Sequence, residues 1–124
     1  MKSRETTLRL KRFEADEKAR KVADLEHMIR EFETVAADLD RQVQAEEDRT
    51  GVRDSTNFAY STFAKSAALR RDNLRASVAE LRMKLEAAQR ARDEAAEQLM
   101  RANADETGER GRRRTERSPN ALIR

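Results

Sequence analysis

The chain has 124 residues, of which 41% are charged, 37% hydrophobic and 4% aromatic, with three glycines, one proline and no cysteine. That is too little apolar bulk for a globular core and too few breakers for many short elements, so the composition points to long helices, and the missing cysteines exclude disulfides and thiolate metal sites. The net charge of +3 from 27 basic and 24 acidic residues describes solvated helix faces rather than a polyanion-binding surface.

The opening stretch, MKSRETTLRLKRF, alternates charge with isolated apolar residues. It predicts neither a signal peptide nor a membrane span, and a cytoplasmic protein is the default expectation. From Val22 the apolar residues fall at Val22, Leu25, Ile29, Phe32, Ala36, Leu39 and Val43, a repeated three-four spacing that defines a heptad seam. The same frame reaches back through Lys18, Ala15 and Lys11 to Leu8.

Next comes EEDRTGVRDSTN, with Gly51 as a helix stop and Asp54 or Ser55 as N-cap candidates, Ser61 being a later possibility. A second seam follows at Tyr60, Ala64, Ala67, Arg71, Leu74, Val78, Leu81, Leu85, Ala88, Arg92, Ala95, Leu99 and Ala102. Two long helices joined by a short link predict an all-α antiparallel coiled-coil hairpin over 1–104. Its helices are expected at about 4–48 and 56–104, with a tip loop at about 49–55. A fold point near residue 52 sets Lys18 near Ala88, Lys11 near Ala95 and Arg92 near Ala15, so that basic stems lie over alanines. Much of the seam is alanine or basic, so a lone hairpin is expected to be marginal and to gain from packing on another protein or on itself.

Phe58, Tyr60 and Phe63 stand beside the link, opposite Leu39 and Val43. The expected role of these rings is to plug the closed end of the hairpin, and the alternative is a partner-binding knob at the tip. Beyond Ala104 no seam continues. Residues 105–124 read as a disordered basic tail, with a small apolar hook at Ala121 to Ile123.

Catalytic chemistry finds no footing here: there is no phosphate-binding glycine loop and no nucleophile elbow. His27, the single histidine, takes an outward heptad position. Asp24 and His27 stand three apart, but no second such pair accompanies them to build a carboxylate-bridged metal site. No catalytic residue, cofactor, metal or small-molecule substrate is expected. The run Arg110 to Arg114 is diluted by neighbouring acids and carries no interleaved aromatics, which argues against nucleic acid as a partner.

The N-terminal KSRETTLRLKRFEADEKARKVADLE, the segment FAYSTFAKSAALRRDNL and the two-seam layout together resemble the flagellar export protein FliJ family, in its alphaproteobacterial form, over about residues 1–100. The resemblance implies a non-catalytic coiled-coil stalk of the flagellar type III export apparatus, at the cytoplasmic face of the inner membrane with the flagellar base. Its implied partners are the hexameric export ATPase, whose ring assembly and activity such proteins promote, the cytoplasmic domain of the export gate, and export chaperones. By similarity to the central stalk of rotary ATPases, the end where both termini meet enters the ring. Lys11, Arg12, Arg20, Lys21, Arg90 and Arg92 are then the expected ring contacts, and Phe58, Tyr60 and Phe63 face what lies beyond. A generic coiled-coil adaptor, or a nucleic-acid-binding coiled coil using the basic tail, are the competing readings.

Overall fold

The computed structural model describes residues 2–122, which form two helices, α1 (Lys2–Thr50) and α2 (Thr62–Leu122), with no strand among the described residues. The chain divides into two compact units. One is Ala23–Ala87, and the other combines Met1–Val22 with Ala88–Arg124.

Within Ala23–Ala87 the helices run antiparallel. Tyr60 bonds Glu47, Arg71 bonds Asp40 and Arg82 bonds Glu33, so partners recede from the link as the numbers diverge. Three-four spacing keeps one stripe of each helix turned to the other, and burial follows that stripe. Leu25, Ile29, Ala36, Leu39 and Val43 of α1 are buried, as are Ala64, Ala67, Val78 and Leu81 of α2. Phe32, Leu74 and Leu85 are half-buried. Nearest the link, Leu39, Val43, Ala64 and Ala67 pack as one cluster with Tyr60, Ala68 and Leu74 against it.

The second unit pairs the first turns of α1 with the later part of α2. Val22 and Ala88 are buried, while Leu8, Lys11, Ala15, Ala95, Leu99 and Ala102 are half-buried. Lys11 Nζ donates to Gln98 Oε1 at 3.1 Å, one helical turn past the Ala95 that the sequence set opposite it. Arg4 pairs with Glu109. Lys18 is exposed.

The element boundaries differ from the sequence expectation at the link and at the C-terminal side. α1 ends at Thr50, the connection spans 51–61, and α2 starts at Thr62 rather than near 56. Gly51 closes α1 in the left-handed conformation, φ +74°, with its N–H bonded to Glu47 O at 2.8 Å, an arrangement that glycine adopts without steric cost. A Cβ added there meets nothing within 4 Å, so Gly51→Ala should lower stability by about 1 kcal/mol through backbone strain alone, read as a shift in the urea midpoint.

Asp54 caps a turn and not a helix. Its Oδ1 accepts from Thr56 N at 3.0 Å, and Asn57 Oδ1 does the same for Ala59 N at 2.9 Å. These two consecutive side-chain-closed turns consume residues that the sequence assigned to α2. α2 itself continues through Leu122, where the sequence placed a disordered tail from 105. Beyond the apolar seam, which ends at Ala102, α2 still meets α1 where the Arg4 guanidinium contacts the Glu109 carboxylate. Ile123, and with it the end of the apolar hook, lies outside the described residues, as do the side chains of Arg110, Arg113 and Arg114.

Candidate partner interfaces

The six expected ring contacts all belong to one unit: Lys11, Arg12, Arg20 and Lys21 come from α1 before Ala23, and Arg90 and Arg92 from α2 after Ala87. Their surroundings divide them. Lys11 and Arg92 occupy seam positions and are half-buried. Lys11 is committed to Gln98, with Glu14 3.9 Å away, and Arg92 Nε lies 3.1 Å from Asp93. Arg20 holds Glu17 at 2.8 Å along its own helix. Arg12, Lys21 and Arg90 are exposed, and none of the three forms an ion pair with a described residue. Those three are the cations most available to an external acidic surface, because no internal carboxylate competes for them.

The three rings all belong to the other unit, but they do not act together. Phe58 is fully exposed and Phe63 is 57% exposed, so neither plugs the end of the hairpin as the sequence led one to expect. Phe58 falls between the turns opened by Asp54 and Asn57, and Phe63 precedes the buried Ala64 by one position, which turns it off the seam. Only Tyr60 packs on the Leu39 and Val43 cluster. Its hydroxyl donates to Glu47 Oε2 at 2.8 Å, and the Tyr60 pKa is raised above its ordinary value of 10, first because ionisation would forfeit that hydrogen bond, then through burial and the repulsion of the Glu47 charge.

Polar groups close the link instead, among them Ser61, the later N-cap possibility of the sequence. Ser61 Oγ accepts from Ala64 N at 3.2 Å, capping α2, and donates to Glu46 Oε1 at 2.9 Å. The Glu46 carboxylate also receives Arg49 Nε at 3.0 Å and Nη2 at 2.5 Å. Arg53 pairs with Asp48. The glutamate pair one helical turn before Gly51 is the signal in the sequence for this closure, although its partners stand 13 and 15 residues away. Removing the cap with Ser61→Ala should cost about 1 kcal/mol, seen as a lowered melting temperature with helix content otherwise retained.

The Arg49 guanidinium, followed by the Ser61 hydroxyl, holds the Glu46 pKa at about 2, down from an ordinary 4.5. A depressed carboxylate stabilises the fold fully above its unfolded pKa and loses that contribution as pH falls through the folded one. Melting temperature should therefore decline between pH 4.5 and 2 in part through this residue, and Glu46→Gln should flatten that part of the profile in a circular-dichroism titration.

His27 is exposed and lies 3.1 Å from Glu31 along α1, as its outward position implied. No helix among the described residues is long and apolar enough to cross a membrane. Comparison with protein-family models, with curated proteins and with solved structures finds no match to this chain.

Proposed function

We propose that this chain is a non-catalytic stalk and escort component of the flagellar type III protein export apparatus. In this reading it binds the hexameric export ATPase, promotes ring assembly and hydrolysis, and links the ring to the export gate and to substrate chaperones at the cytoplasmic face of the inner membrane. The observation that carries it is the unit built from both chain ends, in which Arg12, Lys21 and Arg90 are exposed and unpaired among the described residues. A helical segment of that kind suits insertion among acidic loops of a ring, and the wording of the N-terminal and mid-chain segments points the same way.

The mechanism is mechanical. A helix pair has no sixfold symmetry, so it makes different contacts with each subunit of a hexamer. A difference in contact free energy between subunits biases one site over its neighbours. Arg12, Arg20, Lys21 and Arg90 supply charge to those contacts, while Lys11 ties the two helices together through Gln98 and Arg92 is engaged by Asp93 of its own helix. The fully exposed Phe58 of the other unit remains for a gate or chaperone partner.

The test is the ATP hydrolysis rate and hexamer fraction of the export ATPase from the same organism, with and without the chain at near-equal molar amounts. A higher rate with more hexamer is the expected result. No binding and no change would leave a coiled-coil adaptor with a different partner.

A further inference from the structure

The two flanks of the seam in Ala23–Ala87 are chemically unlike. On one flank, acidic residues of α1 meet arginines of α2: Glu33 bonds Arg82 at 2.7 Å, and Asp40 bonds Arg71 at 2.7 Å with Arg75 at 3.8 Å. Glu47 and Tyr60 end that ladder. On the other flank Met28, Val35 and Gln42 precede Ile29, Ala36 and Val43 on α1, and Phe63, Arg70, Ser77 and Lys84 precede Ala64, Arg71, Val78 and Leu85 on α2. Met28, Val35 and Phe63 are exposed by 40%, 38% and 57%, and a shallow hollow lies beside Phe32 and Val35. No cross-helix ion pair closes this flank among the described residues. Among the described residues Arg70 and Lys84 form no ion pair, while Asp24, Glu31 and Asp38 line the outer edge of α1, Glu31 beside His27 and Asp38 beside Arg41 of the same helix.

We propose that this open flank of Ala23–Ala87 binds the same flank of a second copy of the chain, giving a twofold dimer with a four-helix core at this level. The charge pattern selects that occupant. A twofold axis running along the helices lays α2 of one copy beside α1 of the other, antiparallel and at the same level. Asp40 and Arg71 already share a level within one chain. Lys84 then stands within one helical turn of Asp24 of the partner subunit, and Arg70 within one turn of Asp38 of the partner subunit, both within reach of the long basic side chains. Symmetry repeats each pair, so one surface supplies both the acids and the bases it needs. Met28, Val35 and Phe63 are covered between the two charged edges, as in a bundle whose core is completed by a neighbour. This inference is independent of the export reading.

Equilibrium sedimentation tests it on the full chain. At about 100 μM, where a dimer of micromolar affinity is saturated, the expected mass is twice that of the monomer. Val35→Glu should return the chain to monomer with an unchanged far-ultraviolet spectrum, whereas Leu69→Glu, on an outward position 64% exposed, should leave the dimer intact. Lys84→Glu and Asp24→Lys should each weaken association about tenfold or more through like-charge contacts, and the two together should restore it. A monomer at all concentrations would overturn the proposal. So would a dimer indifferent to Val35→Glu, or one that the double exchange fails to rescue.

Discussion

Leu39→Ala is expected to abolish cooperative folding at physiological temperature, or nearly so. Leu39 is 6% exposed and lies at the centre of the cluster formed with Val43, Ala64 and Ala67. Truncating a buried leucine costs about 2 to 5 kcal/mol, because the lost burial is joined by a cavity that neighbours cannot fill. Here the buried neighbours on α2 are the alanines Ala64 and Ala67, with only the half-buried Tyr60 and Leu74 as larger side chains beside them. Single domains hold only about 5 to 15 kcal/mol of net stability, and a two-helix unit belongs at the low end. Leu69 is the control: it is equally aliphatic and also helical, but 64% exposed, so Leu69→Ala should change stability by no more than about 0.5 kcal/mol. Urea denaturation followed at the helix band separates the two. A Leu39→Ala chain as stable as the wild type would mean that the seam is not the core.

The second large effect belongs to the ring reading. Exchanging Lys11, Arg12, Arg20, Lys21, Arg90 and Arg92 together for glutamate should remove stimulation of the export ATPase. Exposed ion pairs are worth up to about 1 kcal/mol each, and a tenfold change in affinity needs only about 1.4 kcal/mol. Six reversals that turn attraction into repulsion therefore carry binding well beyond a tenfold loss. Lys11 and Arg92 also touch Gln98 and Asp93, so the fold must be checked beside the rate. A variant limited to Arg12, Lys21 and Arg90 separates the roles. Those three have no described ion-pair partner to lose, and the reduced variant should keep the wild-type melting temperature while still losing most of the stimulation. The loss should mimic the effect of raised salt on the wild-type pair, because exposed charges are screened over about 8 to 10 Å at physiological ionic strength.

The seam was the most legible feature of the sequence, and for a simple reason. A three-four spacing held from Val22 to Val43 leaves a helix only one face to bury, and all of those residues except the half-buried Phe32 are buried. The same frame contained the answer for the aromatics. Tyr60 stands on the seam and packs, whereas Phe63 stands one position before it and does not. Ring size had suggested a plug, but phase decided the outcome.

The link was less legible because Asp, Ser, Thr and Asn close turns with the same side-chain bonds that cap helices. Asp54 and Asn57 bond backbone amides two residues on and make turns, while Ser61 bonds Ala64 and makes the cap. Only the three-dimensional path of 51–61 tells them apart. The extension of α2 beyond Ala104 was hidden for a related reason. It has no apolar seam, and a described partner of that stretch on α1 is a charge, Arg4 against Glu109. Of the residues proposed to meet a partner, the sequence grouped the six cations by their place along the chain, but not by availability. Which of them an internal carboxylate or amide occupies depends on side-chain reach, as the engagement of Lys11 by Gln98 illustrates.

The central functional claim is that the unit containing both chain ends enters the ATPase ring. The absence of cysteine from the sequence permits its most direct test, with single cysteines at Arg20, Arg90 and Phe58, each carrying a photo-cross-linker, mixed with the export ATPase hexamer. Cross-links from positions 20 and 90 into the ring, with none from position 58, are the predicted result. Cross-links from position 58 alone, or none from any of the three, would contradict the account.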